Sequence, residues 1–120
     1  MEILNLEGTE DTPKILLDKG NGIFEISGRS LPEDSTDFYQ PVLDWIETYA
    51  EDPNPSTEFA FKLEYFNTAS SKLILDVLMA LEDIDGMKII WYFDEDDEDM
   101  EEAGEEFSEL VEVPFEFKTY

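Results

Sequence analysis

Two runs of strand-forming residues, Phe59-Ala60-Phe61-Lys62-Leu63-Glu64-Tyr65-Phe66 and Met87-Lys88-Ile89-Ile90-Trp91-Tyr92-Phe93, constrain this chain more than any other feature. The first is rich in aromatic and apolar residues with partial period-2 alternation, and the second is an uninterrupted β-type run. Apolar residues on both faces make each an inner strand that needs covering layers. Between them, Leu73, Ile74, Val77, Leu78 and Leu81 recur at helical spacing, predicting a helix from about Ala69 to Asp83 that stops at Asp85-Gly86.

The rest of the chain repeats this alternation. Lys14 to Asp18 and Ile23 to Gly28 read as short strands joined by a turn at Lys19-Gly20-Asn21-Gly22. Gly28 to Thr36 reads as a loop, with Asp34 and Ser35 as cap candidates. Phe38, Val42, Trp45, Ile46 and Tyr49 then form one apolar stripe, and Pro41 fits this helix only within its first turn. Met100, Ala103, Phe107, Leu110 and Val111 suggest a third helix, weakened at Gly104 by about 1 kcal/mol relative to Ala. Pro114 to Tyr120 is a closing strand. The order ββ-α-β-α-β-α-β predicts an α/β domain over residues 1–120, with a mixed, mainly parallel sheet covered by helices.

Charge and missing residue types narrow the function. With 32 acidic residues against 7 basic ones, the net charge of −25 repels nucleic-acid phosphates and anionic lipid surfaces. No nucleic acid and no membrane are expected as partners. The chain contains neither Cys nor His, which removes thiolate chemistry, the commonest metal ligand and the usual general base near neutral pH. No Gly-rich phosphate loop or nucleophile–base pattern replaces them. A protein without enzymatic activity, catalytic residue, cofactor or metal is expected. The N-terminus has no signal-peptide pattern, no segment reaches the roughly 20 apolar residues of a membrane span, and a cytoplasmic location is expected.

Two local features remain. Asn67-Thr68-Ala69-Ser70-Ser71-Lys72 sits where the strand ends and the second helix begins. Its hydroxyls are suited to capping that helix. The alternative is that they accept a phosphoryl group, because a helix N-terminus tolerates an added anion. Lys72, in the first turn, is either an ordinary exposed lysine or a counter-charge for such an anion. The second feature is the acidic run from Asp94 to Asp99, which reads as a solvated entry to the third helix or, alternatively, as a divalent-cation sensing site; its spacing departs from a calcium loop. Trp45 and Trp91 fit core packing at least as well as a ligand pocket.

Three stretches of the chain resemble the SiaC-type regulatory phosphoprotein family, whose fold is related to the STAS domains of anti-sigma-factor antagonists. They are Gly8-Thr9-Glu10-Asp11-Thr12-Pro13; Leu31 to Ser35 with Tyr39-Gln40-Pro41-Val42-Leu43-Asp44-Trp45-Ile46; and Leu63 to Lys72. The sequence departs from the family at Ala69 and in its very acidic third helix. The resemblance implies a partner-switching adaptor with Thr68 as the regulatory phosphosite and Asn67, Ser70, Ser71 and Lys72 as its support. It implies a serine/threonine kinase of the histidine-kinase-like ATPase type and a PP2C-type phosphatase acting on Thr68. The unphosphorylated form would activate an effector, a diguanylate cyclase in biofilm regulation in the characterised branch. Glu64, Tyr65, Phe66 and Tyr39 are the candidate partner contacts.

Overall fold

Six strands form a single sheet in chain order, as seen in a computed structural model that describes residues 1–120. They are β1 (Leu4–Leu6), β2 (Lys14–Asp18), β3 (Ile23–Ser30), β4 (Thr57–Phe66), β5 (Met87–Phe93) and β6 (Phe115–Thr119). The helices α1 (Ser35–Tyr49), α2 (Thr68–Glu82) and α3 (Glu98–Leu110) fill the three crossovers between β3 and β6. β1, β2 and β3 pair antiparallel, whereas β3 to β6 are parallel. The mixed, mainly parallel sheet is therefore as the alternation predicts. β1 is additional: three residues are too few to show a period, and only pairing with β2 makes them a strand.

Because each crossover advances one strand in the same direction, right-handed connections put all three helices on one face. Along β4, Thr57, Phe59, Phe61 and Leu63 point to that face and are buried, while Glu58, Ala60, Lys62 and Glu64 point away. The core joins Ile15, Leu17, Phe24 and Ile26 to Phe59, Phe61, Ile89 and Trp91, roofed by Val42, Ile46, Ile74, Val77, Leu78 and Phe107. Trp91 is fully buried, stacks on Phe61, and donates its indole N–H to the Met100 carbonyl at 3.0 Å. Trp45 packs edge-on against Phe24 and donates to the Glu2 carbonyl at 2.8 Å, so both tryptophans are structural.

The opposite face of the sheet is open and polar. Lys62 pairs with Glu25 at 2.8 Å and lies over the Tyr92 ring, and Lys88 pairs with Glu116 at 2.9 Å. Ile90 is buried yet lies outside the main core, between Ala60 and Glu116 on the neighbouring strands. The apolar character of the two inner strands thus serves one helical layer, not two.

Two local expectations are corrected. Pro41 lies inside α1, beyond its first turn. It is on the exposed side, so the Asp37 carbonyl it cannot engage faces water, and burial of Tyr39, Val42, Ile46 and Tyr49 holds the helix together around it. The stretch from Gly28 to Thr36 is not all loop: β3 continues to Ser30 and α1 opens at Ser35.

Candidate functional site

The carboxyl ends of β3, β4 and β5 lie side by side, and each feeds a helix N-terminus. In open α/β sheets this is the edge at which binding surfaces form. All three helices start in the same way. Asp34 accepts from the Asp37 N–H at 3.1 Å, Asn67 from the Ser70 N–H at 2.8 Å, and Asp97 from the Met100 N–H at 3.0 Å. Asn67 is therefore the cap of α2, and Thr68 is its first helical residue.

Thr68 is exposed and its hydroxyl bonds to no other group of the protein. The backbone N–H groups of Thr68 and Ala69 have no acceptor within the chain, since the first helical bond runs from the Ser71 N–H to the Asn67 carbonyl. Lys72 lies four residues on, on the same helical face, exposed and without an ion-pair partner. Ser71 is half-buried with a free hydroxyl. The first turn of α2 holds no carboxylate, whereas α1 has Asp37 there and α3 has Glu98, Asp99 and Glu101.

Ser70 and Tyr39 take different places from those expected of them. Ser70 is fully buried, its hydroxyl donating to the Ser30 carbonyl at 2.9 Å and accepting from the Ser30 hydroxyl at 2.8 Å. Ser30 in turn is 2.6 Å from the Tyr39 hydroxyl. With the protons of Ser70 and Ser30 thus committed, Tyr39 must donate, giving one directed chain from Tyr39 through Ser30 and Ser70 back to the Ser30 carbonyl. The same carbonyl accepts the Asn67 N–H at 3.1 Å. Ser70 is consequently a clamp beneath the junction, not a side chain open to a phosphate. Tyr39 is in the core, where no partner reaches it, and burial pushes its phenol up to about 12. Its place was readable: Tyr39, Val42, Ile46 and Tyr49 are spaced as one stripe.

The remaining expected contacts lie at the end of β4, just before the α2 start. Pairing of Gly28 with Leu63 is followed by pairing of Arg29 with Tyr65, so Glu64 is the extra residue of a bulge in β4. The bulge reverses the alternation. Leu63 points inward, Glu64 and Tyr65 are both exposed, and Phe66 turns in toward Phe107, with ring centres 6.0 Å apart. Tyr65 carries the Arg29 guanidinium over its ring at 5.3 Å. Arg29 and Ser30 belong to this site, and the sequence reading passed over both. Ser30 gives no sequence signal, but Arg29 is one of only 7 basic residues and could have been singled out by that scarcity.

The acidic run does not assemble a metal site. Asp94 accepts from the Asp96 N–H at 2.9 Å, Asp97 caps α3, and no three carboxylates anywhere in the protein converge as a metal ligand set. A broad cleft of about 1010 Å³ on the open face is lined by Lys14, Glu25, Lys62, Glu64, Asp94 and Tyr120 among others. It is a polar trough whose Lys62 is already paired with Glu25, and it lacks the apolar walls of a small-molecule site. No helix is long and apolar enough to cross a membrane.

A single mixed sheet with helices on one face, three Asx-capped helix starts along one edge, and an unengaged hydroxyl at the central start define the α/β class to which this protein belongs. The chain belongs to the SiaC family of regulatory phosphoproteins, whose family model matches residues 6–120. It is similar to SiaC of Pseudomonas aeruginosa, at 31% identity and a TM-score of 0.90, with all of both chains covered. It also matches the SiaC chain in the crystal structure of the diguanylate cyclase SiaD in complex with its activator SiaC, from the same organism. There the identity is 32% and the TM-score 0.90, covering 98% of this chain and 99% of that one. An uncharacterized protein of Pseudomonas aeruginosa is 34% identical over 119 residues, covering 96% of this chain and 94% of that protein.

Proposed function

We propose that this protein is a non-enzymatic, partner-switching adaptor controlled by reversible phosphorylation of Thr68, and that its unphosphorylated form binds and activates a diguanylate cyclase. The observation that carries this reading is the exposed, unengaged Thr68 hydroxyl at the start of the one helix whose first turn is free of carboxylates. Phosphate there would bring a charge of about −1.5 to −2 to the N-terminus of α2, beside two unpaired N–H groups and Lys72. The domain itself would tolerate that charge. An effector covering Thr68 and Tyr65 would have to bury that added charge, a cost of several kcal/mol where its own surface offers no counter-charge.

A serine/threonine kinase of the histidine-kinase-like ATPase type and a PP2C-type phosphatase would set the phosphorylation state in the cytoplasm, with cyclic-di-GMP and biofilm formation as the output. The test is mass spectrometry of the protein co-expressed with such a kinase, alongside binding measurements to the cyclase. Phosphate is expected on Thr68, with Thr68→Asp weakening cyclase binding at least about tenfold, which is about 1.4 kcal/mol. Phosphate found only at other residues, together with a Thr68→Ala protein that is still fully regulated, would reject the reading.

A further inference from the structure

We propose that Arg29 is the residue through which the domain reads its own phosphate: on phosphorylation of Thr68 the guanidinium leaves the Tyr65 ring for the phosphoryl oxygens and dismantles the platform that the effector meets. This inference rests on Thr68 as the phosphosite and adds the element that responds.

Three observations carry it. First, the bulge at Glu64 exists at the last turn of the β4 ladder before the junction, and its effect is to swing Tyr65 outward, 45% exposed, onto the same side as Arg29. Bulges re-aim side chains at functional edges, and a large aromatic held outward costs burial that the core would otherwise have gained. Second, Arg29 makes no ion pair in a protein with 32 acidic residues, a condition it shares with Lys14 and Lys72, whereas Lys19, Lys62, Lys88 and Lys118 are all paired. Its guanidinium lies instead over the neutral Tyr65 ring. Third, strand register carries it to the end of the sheet at which the acceptor sits. Arg29 pairs with Tyr65, Ser30 pairs with Phe66, and the Ser30 carbonyl binds the Asn67 N–H, one residue before Thr68.

The competition between the two partners has a clear sign. An exposed cation–π contact is weak, whereas a guanidinium engages phosphate through charge-assisted, bidentate bonds roughly twice as strong as neutral ones. No nearby carboxylate has to be displaced, so the guanidinium is free to change partner. The consequence is that phosphorylation acts twice on the effector surface: it adds charge at Thr68 and it strips the cation from Tyr65.

The experiment uses the full chain with phosphothreonine installed at position 68 during translation, so that no kinase is required. The phosphate is titrated by ³¹P NMR in the wild-type, Arg29→Gln, Arg29→Lys and Lys72→Gln backgrounds, and the Arg29 Nε–H resonance is followed in the wild type. The second phosphate pKa, near 6 when unperturbed, is expected to lie roughly half a unit lower in the wild type than in Arg29→Gln, with Arg29→Lys between them. The Arg29 Nε–H signal is expected to lose its ring-current shift on phosphorylation. Identical phosphate pKa values in the wild type and Arg29→Gln, with an unmoved Nε–H signal, would overturn the assignment, as would a shift produced by Lys72→Gln alone. Cyclase binding separates this inference from the reading beneath it. If the phosphorylated wild type binds poorly while Arg29 proves unresponsive, only the role of Arg29 falls.

Discussion

The β4–α2 and β5–α3 junctions are neighbours on one sheet edge with nearly the same backbone design and opposite chemistry. Both use an Asx cap accepting from the third helical N–H, through Asn67 in one and Asp97 in the other. Yet α3 opens within the run Asp94 to Asp99, while α2 opens on Thr68, Ala69 and Ser70 with Arg29 and Lys72 unpaired nearby. Helix electrostatics favours the first arrangement, because carboxylates stabilise a helix start by about 0.3–1 kcal/mol each. A chain carrying 32 acidic residues has left that stabilisation unused at one start only. The difference teaches that two helix starts of the same backbone design can differ wholly in charge: α3 supplies its own carboxylates, and α2 leaves its N–H groups without one.

The largest effect expected at the α2 side lies beneath it, in the Tyr39–Ser30–Ser70 chain. Tyr39 is held at about 12 in the fold by burial, against about 10 in an unfolded chain. The folded state therefore keeps its proton where the unfolded state loses it. This stabilisation is complete below pH 10 and is lost as pH rises from 10 to 12, by about 2–3 kcal/mol. Urea denaturation across that range should show a shallower decline for Tyr39→Phe than for the wild type. Equal slopes would mean that burial does not hold the Tyr39 phenol protonated in the fold.

On the α3 side the expected effect is steric and smaller. A Cβ built on Gly104 meets Trp91 at 2.5 Å and the Phe117 ring at 2.9 Å. The sequence marks this glycine as a weakness in the helix. The structure shows instead that it lets α3 settle onto the buried indole, so the loss of about 1 kcal/mol in propensity accompanies a gain in packing. Gly104→Ala should lower stability by about 1–2 kcal/mol, overpacking outweighing improved propensity. A higher melting temperature in calorimetry would show that α3 can lift without cost.

What was legible in the sequence follows the same division. The run from Met87 to Phe93 and the stripe from Leu73 to Leu81 announce β5 and α2 because burial imposes period on them. Thr68 was legible as a hydroxyl at a helix start, and its selection came from the resemblance. The hydroxyl chain was not, since Ser30, Tyr39 and Ser70 are brought together only by β3 lying beside β4. Nor was the bulge: the imperfect alternation from Leu63 to Phe66 suggested apolar residues on both faces, when the strand in fact changes phase at Glu64. Register between strands is a tertiary fact, and no local pattern states it.

The smallest expected effect is the one that decides why α2 lacks acid. If its first turn is neutral because the fold requires it, Ala69→Glu should destabilise the domain. If it is neutral because an incoming phosphate or an effector requires it, the dipole should make Ala69→Glu stabilising by about 0.3–1 kcal/mol, and Glu98→Gln in α3 destabilising by a similar amount. Both positions are exposed, so packing does not obscure the comparison. The net charge of −25 opposes any added carboxylate. At physiological ionic strength, however, screening over about 8 Å confines the contest to the first turn, where the helix N–H groups are nearest. Chemical denaturation of the two variants at that salt reads the sign directly. Stabilisation by Ala69→Glu with loss of cyclase binding would mark the neutrality of α2 as a functional feature held against the interest of stability. Destabilisation would assign it to folding and remove the contrast with α3.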